Sequence, residues 1–83
     1  MANFGKIPFK GLEVEETIDI RKQLGNFLFY SSTDLQGSEL GRKIYHSSGE
    51  VDLPEEDKKI ILAALERAFP SYVVRQAIIE AMK

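Results

Sequence analysis

The sequence predicts an α+β fold in which a short N-terminal β-hairpin packs on three to four short α-helices. Two observations indicate this fold: short apolar alternations occupy the first 18 residues, and apolar residues then recur at helical spacing. A third, the length of 83 residues, is too small for two ordinary domains. We therefore assign residues 1–18 to a hairpin region and residues 19–83 to a helical region of a single domain 1–83.

The composition is that of a small globular protein, with 43% hydrophobic and 29% charged residues. The absence of cysteine excludes disulfides and thiolate metal sites. No apolar run approaches the roughly 20 residues of a membrane span, and no signal-peptide pattern opens the sequence. We expect a soluble, cytoplasmic protein that does not engage a membrane.

The predicted hairpin turns around Gly11. Ile7 and Phe9 alternate before this glycine, and Leu12 and Val14 alternate after it, which predicts two short strands. Proline is tolerated only at an edge or at the end of a strand, so Pro8 fits a two-stranded hairpin better than a larger sheet.

The first helix is predicted over residues 20–31, with Asp19 as its N-cap. Gly25 and Asn26 are poor helix formers, but their small size allows another backbone to come close. The helix is recognised by one apolar stripe, formed by Ile20, Leu24, Phe27 and Leu28.

A polar link over residues 31–37 precedes a second, shorter helix that we expect Ser38 to cap. Gly49 lies beyond its end, where glycine is favoured. The spacing of Gly37 and Gly41 matches a membrane-dimer motif, but it lies in a polar segment and carries no meaning as that motif. Leu40, Ile44 and Tyr45 mark the buried side of this helix.

A third helix begins near Pro54, where a proline and three following acids suit a first helical turn. Its cap is either Asp52, from capping-box spacing, or Leu53, if the proline is the first helical residue. Pro70 interrupts this helix, and Ser71 is placed to cap a last helix over residues 71–82.

The sequence shows no catalytic, metal-binding or cofactor-binding pattern. His46 is the only histidine, and the acidic clusters lie where helix N-termini favour negative charge. No glycine-rich nucleotide motif occurs. We therefore predict that the protein is not an enzyme and carries no cofactor.

Two surfaces are candidates for binding. The run 27–30 and the last helix carry wide apolar faces, which either a compact layered arrangement buries on both sides or a core of this size leaves exposed. Exposed faces predict an interface with another protein or with a second copy. Its candidate residues are Phe27, Phe29, Tyr30, Val73 and Ile79. The alternative is a nucleic-acid surface in which Tyr30 and Tyr45 stack on bases. Its cations would be Arg21, Lys22, Arg42 and Lys43.

The order of several segments resembles that of small proteins encoded by bacteriophages, prophages and related mobile elements of bacteria. These segments are Lys-Ile-Pro-Phe-Lys-Gly at residues 6–11, residues 18–26, Leu-Gly-Arg-Lys-Ile-Tyr at 40–45, Val-Asp-Leu-Pro-Glu-Glu at 51–56, and the apolar C-terminal helix. The resemblance implies a bacterial or phage context and a cytoplasmic protein. It implies no active site, so no functional residue follows from it.

Overall fold

A computed structural model describes residues 2–83 and confirms the α+β fold with an N-terminal hairpin. The described chain forms four helices and two separate two-stranded antiparallel sheets. In order, the elements are β1 (Ala2–Asn3), β2 (Ile7–Lys10), β3 (Glu15–Ile18), α1 (Arg21–Ser31), α2 (Leu35–Tyr45), β4 (Glu50–Val51), α3 (Glu55–Ala68) and α4 (Tyr72–Ala81).

A single hydrophobic core draws on every helix and on both sheets. Burying apolar side chains of this size supplies most of the favourable free energy of folding. Within residues 2–83, every buried polar side-chain atom has a hydrogen-bond partner, so the core carries no uncompensated polar group. The largest fully buried side chains are those of Phe4, Ile7, Leu24, Leu28, Ile44, Ile61 and Ile78.

The predicted hairpin is present as β2 and β3, but its strands are shorter than the apolar pattern indicated. Pairing runs from Ile7 opposite Ile18 to Lys10 opposite Glu15. The prediction that Leu12 and Val14 belong to the second strand is wrong. Both lie in the connecting turn, which the Gly11 N–H closes by donating to the carbonyl oxygen of Val14 at 2.9 Å. Once the ladder ends at Glu15, these two side chains face solvent.

A second, very short sheet was not predicted. β1 pairs with β4 so that Ala2 lies opposite Val51. The Phe4 N–H extends the contact by donating to the carbonyl oxygen of Gly49, and the Phe4 carbonyl accepts from the Ile20 N–H, both at 2.9 Å. These hydrogen bonds hold the buried Phe4 ring in the core, but strands of two residues leave no recognisable alternation in a sequence.

Helix α1 begins one residue later than predicted, so the N-cap assignment to Asp19 is wrong. Ile20 occupies the cap position and makes no side-chain capping bond. Asp19 instead accepts from the Arg21 backbone N–H at 3.0 Å and binds the Arg21 guanidinium. The Asp19 carboxylate therefore still accepts a hydrogen bond from the first turn of the helix, although Asp19 lies one residue before the N-cap.

Helix α2 begins at Leu35, three residues before the predicted cap. Asp34 is the N-cap, and its Oδ1 accepts from the Gly37 N–H at 2.9 Å. Ser38 lies inside the helix, where its hydroxyl donates to the Asp34 carbonyl. The link between α1 and α2 is therefore only residues 32–34, because the polar first turn of α2 resembles a loop in composition.

The starts of α3 and α4 differ in how they are capped. Neither Asp52 nor Leu53 caps α3, because Pro54 holds the cap position and no side chain bonds to the first turn. Its first turn does carry the three predicted acids, which complement the helix dipole. Ser71 caps α4 as predicted, with its hydroxyl oxygen accepting from the Val74 N–H at 3.4 Å.

Candidate functional site

Helices α1 and α2 form an antiparallel pair whose backbones touch at two glycines. A Cβ atom on Gly25 would lie 2.8 Å from the Gly41 carbonyl oxygen, and one on Gly41 would lie 2.6 Å from the Gly25 carbonyl oxygen. The prediction that Gly25 admits a close backbone is thus confirmed. Gly41 has the same packing role, which was not predicted because the residue lies in a polar segment. Small residues permit close helix contact outside membranes as well.

The close crossing leaves an open groove on the outer side of the two helices, which we call the α1–α2 groove. It encloses about 300 Å³. Gly25 and Gly41 both line the groove, and neither has a side chain that would fill it. The remaining lining residues are Asn26, Phe29 and Tyr30 from α1, and Arg42, Tyr45 and His46 from α2 and its C-cap.

The side chains of the groove form an ordered aromatic surface. The Phe29 and Tyr30 rings meet edge to face with centroids 5.1 Å apart, and Tyr45 meets His46 at 5.0 Å. The Arg42 guanidinium carbon lies 5.5 Å from the Phe29 ring centroid, within the range of a cation–π contact. Tyr30 is nonetheless 81% exposed, so this surface is open to a partner.

The groove favours acceptor groups and negative charge. None of its lining residues is acidic, and Arg42 supplies a permanent positive charge. The Asn26 amide and the hydroxyls of Tyr30 and Tyr45 add neutral donors. The chemistry available is thus stacking, apolar contact and hydrogen-bond donation.

Only part of the predicted protein interface lies in this groove. Phe29 and Tyr30 line it, whereas Phe27 faces a different depression beside α3. Val73 is 51% exposed on α4, and Ile79 is half-buried against the core. Phe27 therefore points in a different direction from Phe29 and Tyr30, as the 3.6-residue period of a helix allows.

The four predicted nucleic-acid contacts also differ in what their side chains bind. Arg21 donates to the Ser47 carbonyl at 2.7 Å and pairs with Asp19, while Lys43 donates to the Asp52 carbonyl at 2.9 Å. Arg42 alone lines the groove. Lys22 is exposed on α1, one turn before the groove residue Asn26.

His46 was missing from the predicted sites, because an only histidine was expected to be an isolated side chain. Tyr45 was predicted to mark its helix and, with Tyr30, to stack on bases in the alternative nucleic-acid surface. The available signal was the spacing of Arg42, Tyr45 and His46, which places all three on one side of α2. This spacing indicates a site only once α1 is known to lie beside α2.

The pair of Asp19 and Arg21 borders this region and ties α1 to the chain after α2. Hydrogen bonds from the Arg21 side chain and backbone lower the pKa of Asp19 from 3.8 to about 2. The same side-chain hydrogen bond raises the pKa of Arg21. The guanidinium also donates to the Ser47 carbonyl, so one side chain bridges the start of α1 and the end of α2.

The part of the chain that the structure describes shows neither a metal-site cluster nor a membrane-spanning helix. Residues 2–83 contain no group of three or more histidine, aspartate or glutamate side chains placed to hold a metal ion. None of the described helices is long and apolar enough to span a bilayer. The α1–α2 groove is a concave site that combines aromatic walls with a cation.

Comparison with known proteins gives no relative from which a function could be transferred. No protein-family model, curated protein or solved structure matches this chain significantly.

Proposed function

We propose that this protein is a non-enzymatic interaction module, cytoplasmic and of phage or mobile-element origin, that binds a protein segment in the α1–α2 groove. The observation that carries the proposal is the open groove itself, with its aromatic walls, its single guanidinium and its lack of acidic residues. The segment it suits combines an apolar side chain with nearby carboxylates.

The residue types of the groove support a protein partner. Tyrosine, phenylalanine and arginine are enriched at the centres of protein interfaces and dominate their binding energy. Tyr30 and Phe29 are ordered by their mutual edge-to-face contact, so binding costs little side-chain entropy. A volume of about 300 Å³ lies at the lower limit of small-molecule clefts, roughly 300–1,000 Å³, and suits one or two side chains of a segment.

A second candidate is single-stranded nucleic acid. The observation in its favour is the Arg42 guanidinium over the Phe29 ring, since bases stack on such aromatic and arginine surfaces. Against it, the net charge of the chain is −2, and Arg42 is the only one of the four predicted cations that lines the groove. A protein segment is therefore the preferred ligand.

Selection from a random peptide library tests the proposal. The immobilised wild type is compared with the groove variant Tyr30→Ser/Arg42→Glu and with a matched control, Tyr72→Ser/Lys59→Glu. The control changes the same residue classes at exposed positions of α4 and α3. We expect the wild type and the control to enrich the same acidic, apolar peptides, and the groove variant to lose them. Equal enrichment by all three proteins would contradict the proposal.

Fluorescence anisotropy with a labelled single-stranded oligonucleotide separates the second candidate from the first. We expect no binding by the wild type at physiological salt. Binding that weakens as salt rises and disappears in Arg42→Glu would instead favour nucleic acid, because phosphate contacts release counterions. The oligonucleotide then takes the place of the peptide as the ligand of the groove.

A further inference from the structure

We infer that the chain associates with a second copy of itself, with the hairpin tip of one copy docked in the α1–α2 groove of the next. The hairpin tip is defined as residues 12–16, Leu-Glu-Val-Glu-Glu. This inference rests on the proposed function of the groove as a docking site and names its occupant.

The hairpin tip carries apolar groups that the fold leaves uncovered. The Leu12 side chain is fully exposed at 106%, and Val14 is 60% exposed. Both lie in the turn between β2 and β3, beyond the last paired residues. Single exposed apolar residues are common on protein surfaces, but two on one projecting turn form a contact that a neighbouring molecule can reach.

The tip is also negatively charged. Glu13, Glu15 and Glu16 are exposed, and none of them forms an ion pair with any residue in the described range 2–83. Lys10 lies opposite Glu15 in the strand ladder, but the two side chains form no ion pair. The tip therefore presents, beside Leu12 and Val14, three carboxylates that form no ion pair within residues 2–83.

The groove has the complementary properties. Its aromatic rings offer apolar area to Leu12 and Val14, and Arg42 offers charge to the carboxylates. Lys22, exposed one helical turn from Asn26, adds a second cation near the groove. Opposite charges across such a contact steer the encounter and set its orientation. Of the surfaces described, the tip best matches the acidic, apolar ligand that the groove suits.

The contact is intermolecular because the two surfaces belong to different parts of the fold. The strand β2 packs against α4, whereas the groove lies between α1 and α2. No hydrogen bond or ion pair among residues 2–83 joins the tip to the groove. Each copy then has one tip and one groove, so head-to-tail contacts between copies build either an open chain or a closed ring.

We expect the affinity between two copies to be low. Five residues meeting one groove bury far less than the roughly 1,200 Å² of stable interfaces. Because charge contributes to the contact, association weakens as salt rises. We expect a mass that increases with protein concentration at low salt.

Complementary variants test the inference. The tip variant Leu12→Ser/Val14→Ser keeps an intact groove, and the groove variant Tyr30→Ser/Arg42→Glu keeps an intact tip. Sedimentation equilibrium at low salt is expected to show concentration-dependent association for the wild type and a monomer for each variant alone. An equimolar mixture of the two variants is expected to form a 1:1 dimer and nothing larger, because only one matching tip and groove remain.

Several results would overturn the inference. They are a wild type that stays monomeric up to its solubility limit, a variant that still associates alone, and a mixture that stays monomeric. Circular dichroism establishes that both variants fold, which their exposed positions lead us to expect. The control Tyr72→Ser/Lys59→Glu is expected to associate like the wild type. A monomeric wild type that still selects peptides through its groove removes the self-association alone, whereas loss of both removes the proposed function as well.

Discussion

The carbonyl oxygen of Gly25 lies directly against Gly41, at a distance where a Cβ on Gly41 would approach it to 2.6 Å. This contact brings the backbones of α1 and α2 together. It also leaves the outer side of the helix pair without bulky residues at its centre. One pair of glycines thus determines both the packing of the two helices and the opening of the α1–α2 groove.

Gly41→Ala is expected to destabilise the protein. The added methyl would meet the Gly25 carbonyl and the Phe29 backbone nitrogen, each at 2.6 Å. Overpacking against backbone costs up to about 3 kcal/mol, and the better helix propensity of alanine returns about 1 kcal/mol. Urea unfolding should show a net loss of about 2 kcal/mol. The control Asn26→Ala, at an exposed position of α1, should be neutral or stabilising, and a stable Gly41→Ala would contradict the close crossing.

Asp34→Ala is expected to weaken the start of α2. The Asp34 carboxylate accepts from the Gly37 N–H, and removing such a cap costs about 1 kcal/mol. Ser38→Ala serves as the control, because its hydroxyl bonds only within the helix. Thermal unfolding should show a lower Tm for Asp34→Ala and little change for Ser38→Ala. The opposite order would restore Ser38 as the cap.

Gly49→Ala is expected to disturb the junction between α2 and β4. Gly49 has a φ of 125°, where a side chain is strained, and a Cβ would approach the Asn3 side-chain oxygen to 2.7 Å. A cost on the order of 1–3 kcal/mol follows from the backbone alone. Chemical denaturation should show this loss, with the neighbouring exposed Ser48→Ala as the control. Equal stability of the two variants would argue against this backbone conformation.

Acid is expected to weaken the link between Asp19 and Arg21. The folded pKa of Asp19 is about 2, below its usual 3.8, so the unfolded chain binds the proton more readily. The stabilisation is therefore complete above about pH 4 and is lost as the pH falls from about 4 to 2. Because Asp19 is half exposed, solvent screens the pair and the effect is modest.

Stability measured between pH 6 and 2 tests this expectation. The free energy of unfolding of the wild type should fall more steeply below about pH 4 than that of Asp19→Asn. Glu13→Gln removes a carboxylate that forms no ion pair with residues 2–83, and it should keep the wild-type slope. Parallel curves for the wild type and Asp19→Asn would show that the pair contributes nothing to folding.

Local patterns predicted the helices and the hairpin because those elements satisfy their own hydrogen bonds. The stripe of α1, the proline between α3 and α4, and the Ser71 cap all act within a few residues of chain. Errors arose where two local signals competed. Asp34 and Ser38 are both good caps, and the helix starts at the first of them, where the Asp34 carboxylate accepts from the Gly37 N–H.

The site was less predictable because it depends on two helices at once. Phe29 and Tyr30 were recognised as surplus apolar residues, and Arg42 as a surplus cation. Their meeting in one groove requires the contact of Gly25 with Gly41, which no single-helix pattern contains. The pairing of β1 with β4 was missed for the same reason, since its partners are distant in sequence.

The bond between Phe4 and Gly49 also orders the events of synthesis. Residues 2–4 are made before α1 and α2, yet their partners Gly49, Glu50 and Val51 follow only after both helices. The helix pair has a short loop and can form early, whereas the Phe4 ring must wait for a long loop to close. In a nascent chain stalled before residue 49 the Phe4 N–H therefore lacks its partner, and translation through this point supplies the carbonyl oxygen that it binds.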